Sequence, residues 1–156
     1  MGDVFRGSFR RGFDGAIREK LADEELKLSV SDLRDLEGGI GDKLPDLFIQ
    51  KRDISFQDMQ SISRTFERYF DVSMTRDEVA NDIIVGQASR HVIVHAGSKV
   101  DRKMMLQVSK ANPRTLKREL REGMMIQYSV DEIHKLGEAM SRYLADLETK
   151  AISAVG

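Results

Sequence analysis

Residues 90–95 read Arg90-His91-Val92-Ile93-Val94-His95, and they end a strongly apolar run of the chain. A helix that is apolar nearly all round is normally buried, and burying an arginine or a charged histidine without a partner is costly. We therefore expect Arg90, His91 and His95 to be paired, to line an interface or to face a cleft. The upstream apolar residues, whose spacing covers most of a helix circumference, are Val79, Ile83, Ile84, Val85 and Ala88.

The flanks of this run predict a mostly helical protein. Thr75 or Asp77 can cap the helix that carries the run, and Gly97 is suited to a left-handed stop after it. Before it, Ser55 precedes a run with a 3.6-residue period that predicts a helix ending before residue 72. The apolar residues of that run are Phe56, Met59, Ile62, Phe66, Tyr69 and Phe70.

The chain after Gly97 predicts further helices and one piece of a different kind. Residues 101–108 and 115–121 are helical candidates, the second of them following Pro113. Residues 124–128 are short and apolar, which suits either an extended piece or a small hairpin. Ser129 and Glu132 match the capping-box pattern ahead of a last amphipathic helix.

Residues 3–52 are predicted to form an N-terminal helical segment. Its first part repeats apolar residues every four positions, which favours an amphipathic helix and a core or subunit contact; these residues are Phe5, Phe9, Phe13, Ile17 and Leu21. Short helices are expected after Ser29 or Ser31 and over residues 44–49, with the glycines of 38–41 as a break. No internal repeat or obvious linker is present, so a single helical domain over 1–156 is predicted.

Composition limits the classes of function. The chain has 156 residues, 40% hydrophobic and 33% charged, which suits a packed helical domain. It contains no cysteine, which excludes disulfides and thiolate sites, and no apolar run of the roughly 20 residues that span a bilayer. The N-terminal residues lack the apolar core of a secretion signal. We expect a cytoplasmic protein that does not bind membranes.

The charge distribution is less even than the net charge of −1 indicates. Between residues 99 and 121 the basic side chains greatly outnumber Asp101 and Glu119. Such a cluster is either a solvated helix face or a surface that attracts a nucleic-acid backbone. The candidate RNA-binding residues in it are Lys99, Arg102, Lys103, Arg114, Lys117 and Arg118.

Metal and nucleotide sites find little support in the sequence. His91 and His95 stand four residues apart and so share a helix face, as metal ligands often do. A metal needs a third ligand, and nothing in the spacing requires Asp82 or Asp101 to supply it. No glycine-rich phosphate loop and no serine nucleophile elbow are present. We predict no metal and no cofactor.

Arg90 and His95 can be explained in two ways. They are either a helix end with a structural ion pair and a hydrogen-bonded histidine, or the groups of an RNA-cleaving site. Imidazole titrates near neutral pH and acts as general acid or base, whereas one guanidinium can donate hydrogen bonds to two oxygens of a phosphate at once. Together they suit cleavage of RNA through its own 2′-hydroxyl, which needs proton transfer and charge stabilisation but no metal.

The run and its flanks resemble the signature of the HEPN superfamily, the higher eukaryotes and prokaryotes nucleotide-binding domain. That signature is an arginine, a polar residue and a later histidine at the end of a long helix; here Arg90, His91 and His95 occupy these positions, followed by Gly97, Val100 and Asp101. The resemblance extends over about residues 55–152. The form of the signature in this chain is similar to that of bacterial subfamilies tied to defence and toxin systems.

The resemblance implies an all-α HEPN-like bundle whose motif helix lies at a dimer interface. It implies a metal-independent endoribonuclease, a toxin or antiviral-defence effector, in which Arg90 holds the scissile phosphate, His95 is the general acid or base, and His91 supports them. A homodimer would complete the active site, and an antitoxin or another defence-system protein would be a further partner. Family members that have lost activity serve as dimerisation or nucleotide-binding modules, which is the alternative function.

Overall fold

The computed structural model describes residues 1–13, 15–36 and 39–156. All the regular secondary structure in these ranges is helical, in line with the predicted all-α class. The chain divides into two compact units, one of residues 1–73 and 147–156 and the other of residues 74–146. The single-domain prediction, with a core over 55–152, stays a prediction. Gly38 and Glu37 lie outside the described residues.

The first unit contains five helices: α1 (Gly2–Gly12), α2 (Ala16–Lys20), α3 (Val30–Asp35), α4 (Ile40–Lys51) and α5 (Met59–Phe70). The expected aromatic stripe is divided between α1 and α2, and its role as core is confirmed for Phe5, Phe9 and Ile17. Phe5 lies edge-on to Phe70 at 5.3 Å between ring centroids. The buried aromatic cluster consists of Phe5, Phe9, Phe48, Phe66, Tyr69 and Phe70.

Local capping explains several helix ends of the first unit. Ser29 caps α3, since its Oγ accepts from the backbone N–H of Asp32. Helix α5 begins later than expected, at Met59, because Asp58 rather than Ser55 caps it; Asp58 Oδ1 accepts from the N–H of Ser61 at 2.8 Å. Helix α4 begins earlier than expected, at Ile40.

The second unit contains α6 (Glu78–His95), α7 (Arg102–Val108) and the first part of α8 (Val130–Val155). Asp77 caps α6 and Asp101 caps α7. Gly97 has a φ of +59°, the left-handed stop that was predicted. Ser129 and Glu132 form the predicted capping box at the start of α8. The core of this unit consists of Val85, Ala88, Val92, Val100, Met104, Val108, Ala111 and Ile126.

The segment between α7 and α8 is irregular, so the helix predicted over residues 115–121 is wrong. Here the Arg114 guanidinium donates to the backbone carbonyls of Val108, Ala111, Lys117 and Arg118 at 3.1–3.3 Å. These side-chain bonds satisfy carbonyl groups that a helix would have paired internally. The piece over residues 124–128 is extended and not a hairpin with itself, since Met125 forms an isolated antiparallel bridge with Lys99.

Candidate functional site

The candidate site lies at the end of α6, and its three polar side chains are exposed rather than buried. The buried face of this helix ends with Ala88, Ser89 and Val92. Beyond it, Arg90, His91 and His95 are exposed, and so are the apolar Ile93 and Val94. Within the described chain, the core of the second unit covers only one side of the last two turns of α6. The expectation that these polar side chains line an interface or face a cleft stays a prediction.

The structural explanation for the motif finds no support in these contacts. Arg90 forms no hydrogen bond and no ion pair with any residue that the structure describes, and the same holds for the imidazole nitrogens of His91 and His95. The two rings lie 5.0 Å apart between centroids. The site thus offers one guanidinium and two neighbouring imidazoles, all free to bind a ligand from solvent.

Behind the motif, a polar network holds α6 in position. Ser89, the residue before Arg90, donates to the carbonyl of Val85 at 2.7 Å, and its Oγ lies 2.8 Å from Tyr128 Oη. The ammonium of Lys117 lies 4.5 Å from the centroid of the Tyr128 ring. Burial raises the pKa of Tyr128, so its hydroxyl stays protonated and available as a donor.

The same network gives Lys117 a structural role. Its ammonium contacts both carboxylate oxygens of Glu132 at 2.7 Å and also donates to the carbonyl of Gln127. The hydrogen bond from Lys117 lowers the pKa of Glu132, with a further bond from Ser129 acting in the same direction. Lys117 and Arg114 are thus bonded within the fold. The other four predicted RNA-binding side chains are exposed: Lys99, Arg102, Lys103 and Arg118. RNA binding by all six stays a prediction.

Asp82, considered above as a third metal ligand, has another role. It is buried on α6, and its Oδ1 accepts from the backbone N–H groups of Thr115 and Leu116 at 2.8 and 2.9 Å. Its Oδ2 accepts from the Thr115 hydroxyl. Asp82 therefore anchors the irregular segment to α6. Within the described ranges, no three His, Asp or Glu side chains come together in a way that could hold a metal ion.

Sequence reasoning missed the structural role of two adjacent buried polar residues of α6, Asn81 and Asp82. Asn81 is fully buried next to Asp82, and its Nδ2 donates to the carbonyl of Pro113 at 2.8 Å. Its Oδ1 is buried and has no partner among the described atoms. Asn81 and Asp82 are two short polar residues within an otherwise apolar helical run. Because buried polar side chains need hydrogen-bond partners, this pair could have predicted a polar contact of α6.

Comparison with known proteins returned no matching family model, no matching curated protein and no matching solved structure. In the ranges that the structure describes, none of the helices is long and apolar enough to cross a membrane. The HEPN resemblance therefore depends on the residues of the motif and its flanks alone.

Proposed function

We propose that this protein is a HEPN-like, metal-independent endoribonuclease that acts in the cytoplasm as a toxin or antiviral-defence effector. The observation that carries the proposal is the exposure of Arg90, His91 and His95 together at the end of α6, without partners among the described residues. An unpaired guanidinium and two unpaired imidazoles on one exposed helix end supply the groups that a phosphate-binding acid–base site needs.

The proposed reaction uses the substrate's own 2′-hydroxyl as the nucleophile. One His95 imidazole takes the 2′-hydroxyl proton as the 2′-oxygen forms a bond to phosphorus. The bond from phosphorus to the 5′-oxygen breaks, and a second imidazole gives that oxygen a proton. Arg90 holds the non-bridging oxygens and stabilises their negative charge in the pentacoordinate intermediate. The products are a 2′,3′-cyclic phosphate end and a 5′-hydroxyl end.

The reaction needs two proton-transfer groups, and the resemblance gives that role to His95 alone and a supporting role to His91, which favours a symmetric pair of chains. A twofold axis would bring two copies of Arg90 and His95 into one site. The surface beside the motif suits such a partner, since Ile93 and Val94 are 42% and 60% exposed. Exposed apolar side chains rimmed by polar groups are typical of protein interfaces.

The basic residues that follow the motif supply a path for the RNA backbone. Lys99 lies after the Gly97 turn, and Arg102 and Lys103 open α7 with their side chains exposed. These charges would attract phosphate groups of any sequence, so they contribute affinity and not base specificity. An antitoxin or another defence-system protein is the further partner we propose, covering this surface when the enzyme is held inactive.

The test is cleavage of RNA by the purified protein in the presence of EDTA. We expect fragments with 2′,3′-cyclic phosphate ends, and at least about a hundredfold loss of rate in Arg90→Ala and in His95→Ala, as is usual for removal of an acid–base group. The matched controls are Arg76→Ala and Gln107→Ala, which alter exposed side chains of the same unit outside the motif. Cleavage at the wild-type rate in both motif variants would contradict the proposal.

The alternative function is a non-catalytic dimerisation or nucleotide-binding module. The exposed Ile93 and Val94 favour it as much as they favour an enzyme, because a dimer needs this apolar surface whether or not RNA is cut. A protein that dimerises, leaves single-stranded and structured RNAs intact and is harmless on expression would support this alternative.

A further inference from the structure

The two imidazoles at the end of α6 form a close and accessible pair. His91 and His95 are four residues apart, so they project from one helix face, and their ring centroids lie 5.0 Å apart. Both side chains are exposed, and neither imidazole bonds a residue that the structure describes. The ring nitrogens of both residues are therefore free for a ligand from solvent.

The separation of the two rings is the one that a shared metal ion requires. Zinc binds a histidine nitrogen at about 2.0–2.1 Å, and that nitrogen lies about 1.2 Å from the centre of its ring. Two imidazoles on one ion therefore have centroids about 5.3 Å apart at the tetrahedral angle and about 4.6 Å apart at a right angle. The observed 5.0 Å lies between these values. Because both side chains are exposed, each ring can turn a nitrogen towards the ion.

The backbone that carries the pair is fixed on both sides. Before it, the Ser89 hydroxyl contacts Tyr128 Oη at 2.8 Å. After it, the carbonyl of Val92 accepts from the backbone N–H groups of Ala96 and Ser98 at 2.9 and 3.1 Å. These bonds hold the last turn of α6 in its helical form. The two imidazoles therefore lose little freedom when they bind one ion, which favours binding.

The type of ligand selects the class of metal ion. Imidazole nitrogen suits Zn²⁺, Ni²⁺ and Cu²⁺, whereas Mg²⁺ and Ca²⁺ prefer oxygen ligands. Among the residues that the structure describes, no third His, Asp or Glu joins the pair, so water would complete the coordination. An ion with two protein ligands exchanges with the solution, and it differs in this from a resident cofactor. The guanidinium of Arg90, which precedes His91, opposes a cation and limits its affinity.

From the ring separation, the exposure and the fixed backbone, we propose that His91 and His95 bind one Zn²⁺ ion reversibly and that this ion inhibits the site. A neutral imidazole has one nitrogen lone pair, and a metal ion on that nitrogen removes the proton acceptor. With Zn²⁺ bound, His95 can no longer take the proton of a 2′-hydroxyl. The inhibition rests on the proposed ribonuclease function, whereas the binding of Zn²⁺ rests on the two histidines alone.

The first experiment measures Zn²⁺ binding to the full chain by isothermal titration calorimetry. We expect His91→Gln to weaken binding at least about tenfold, because a second ligand on the same helix face acts at a high effective concentration. The matched control is His134→Gln, which removes an exposed histidine of α8 that has no described partner and should leave binding unchanged. Equal affinity in the wild type and His91→Gln, or an equal loss in His134→Gln, would overturn the site.

The second experiment measures thermal unfolding, which does not involve RNA. An ion that binds the folded helix better than the unfolded chain raises the melting temperature as its concentration rises. We expect Zn²⁺ to raise the Tm of the wild type and of Arg90→Ala, which keeps both imidazoles and loses an opposing charge. The Tm of His91→Gln should stay unchanged, and Mg²⁺ should shift none of the three proteins. A Zn²⁺-dependent rise of the same size in His91→Gln would overturn the site.

RNA cleavage is measured on the same proteins, which separates the two proposals. We expect Zn²⁺ to inhibit the wild type and excess EDTA to restore cleavage, while residual cleavage by His91→Gln needs at least about tenfold more Zn²⁺ for half inhibition. A protein that binds Zn²⁺ through both histidines but leaves RNA intact without Zn²⁺ would overturn the ribonuclease and leave the metal site in place. Cleavage that persists at Zn²⁺ concentrations that saturate the site would overturn the inhibition.

Discussion

Tyr128 holds the end of α6 in place through Ser89, with 2.8 Å between the two hydroxyl oxygens. Ser89 also donates to the carbonyl of Val85, so it can only accept from Tyr128 while that bond is made. The contact lies one residue before Arg90. It therefore fixes the helix turn from which the candidate site projects.

Replacing Tyr128 with phenylalanine tests this contact. The ring and its contact with the Lys117 ammonium are kept, and only the hydroxyl is lost. We expect the free energy of unfolding to fall by about 1 kcal/mol, the net contribution of a typical hydrogen bond. Urea unfolding measures the change. Tyr143→Phe is the control, since the Tyr143 hydroxyl bonds no described residue; an equal loss in both variants would contradict the role of the Ser89 contact.

Asp82→Ala tests the anchor of the irregular segment. The variant leaves the part-buried backbone N–H of Thr115 and the buried one of Leu116 without their acceptor. We expect a loss of about 3 kcal/mol of unfolding free energy, since hydrogen bonds to a charged group are stronger and abandoned buried donors are costly. Asp101→Ala removes only an N-cap of α7 and should cost about 1 kcal/mol. Equal losses would show that the Asp82 contacts contribute no more than a cap.

Asp32 predicts a pH dependence in the first unit. A hydrogen bond from the Lys51 ammonium, at 2.6 Å, and further bonds from Ser29 lower the pKa of Asp32 from 3.8 to about 2. A carboxylate whose pKa is lower in the folded state stabilises that state above the unfolded pKa. This stabilisation is lost as the pH falls from about 4 towards 2.

The measurement is the carbon-detected NMR titration of the Asp32 carboxyl, with urea midpoints recorded over the same pH range. We expect Asp32→Asn to flatten the fall in stability below pH 4. Lys51→Met removes the largest cause of the shift and should raise the pKa of Asp32 towards 3.8. An unchanged titration in Lys51→Met would contradict the assigned cause.

Neutralising Lys99, Arg102 and Lys103 together tests the proposed path of the RNA backbone. Each is exposed, and each would release a counterion on binding a phosphate. We expect weaker binding of single-stranded RNA, and a slope of log K against log salt that is smaller by about 2, since about 0.7 is lost per phosphate contact. The control neutralises Arg18, Lys27 and Arg34, which are exposed in the first unit. An equal slope in both triple variants would contradict this path, because it would show that RNA binding depends on net charge alone.

Short-range signals allowed much of the helical framework to be predicted. The caps at Ser29, Asp77 and Ser129 and the left-handed Gly97 all act within four residues of the helix end that they determine. Such contacts form in the same way whatever surrounds them. The start of α5 was misplaced because Ser55 and Asp58 are both acceptable caps, and the choice between them depends on packing.

The candidate site was predicted as a set of residues but not as a surface. Spacing alone indicated that His91 and His95 share a helix face, and their rings are indeed neighbours. Spacing could not show how much of the last two turns is covered within one chain, since the number of turns that a core covers depends on residues distant in the chain. The structural role of Arg114 was invisible for the same reason: its acceptors are the carbonyl groups of an irregular segment.

The sequence by itself determined most of the helical stretches, several of the helix ends and which residues stand four apart at the motif, because these properties depend on neighbours along the chain. Only the tertiary structure decided which helix faces are covered. Leu136 and Tyr143 are directed into the protein, while Ile133 and Met140, equally apolar, are exposed on the same helix. Burial is decided by what packs against a face, and that is a property of contacts between residues far apart in sequence.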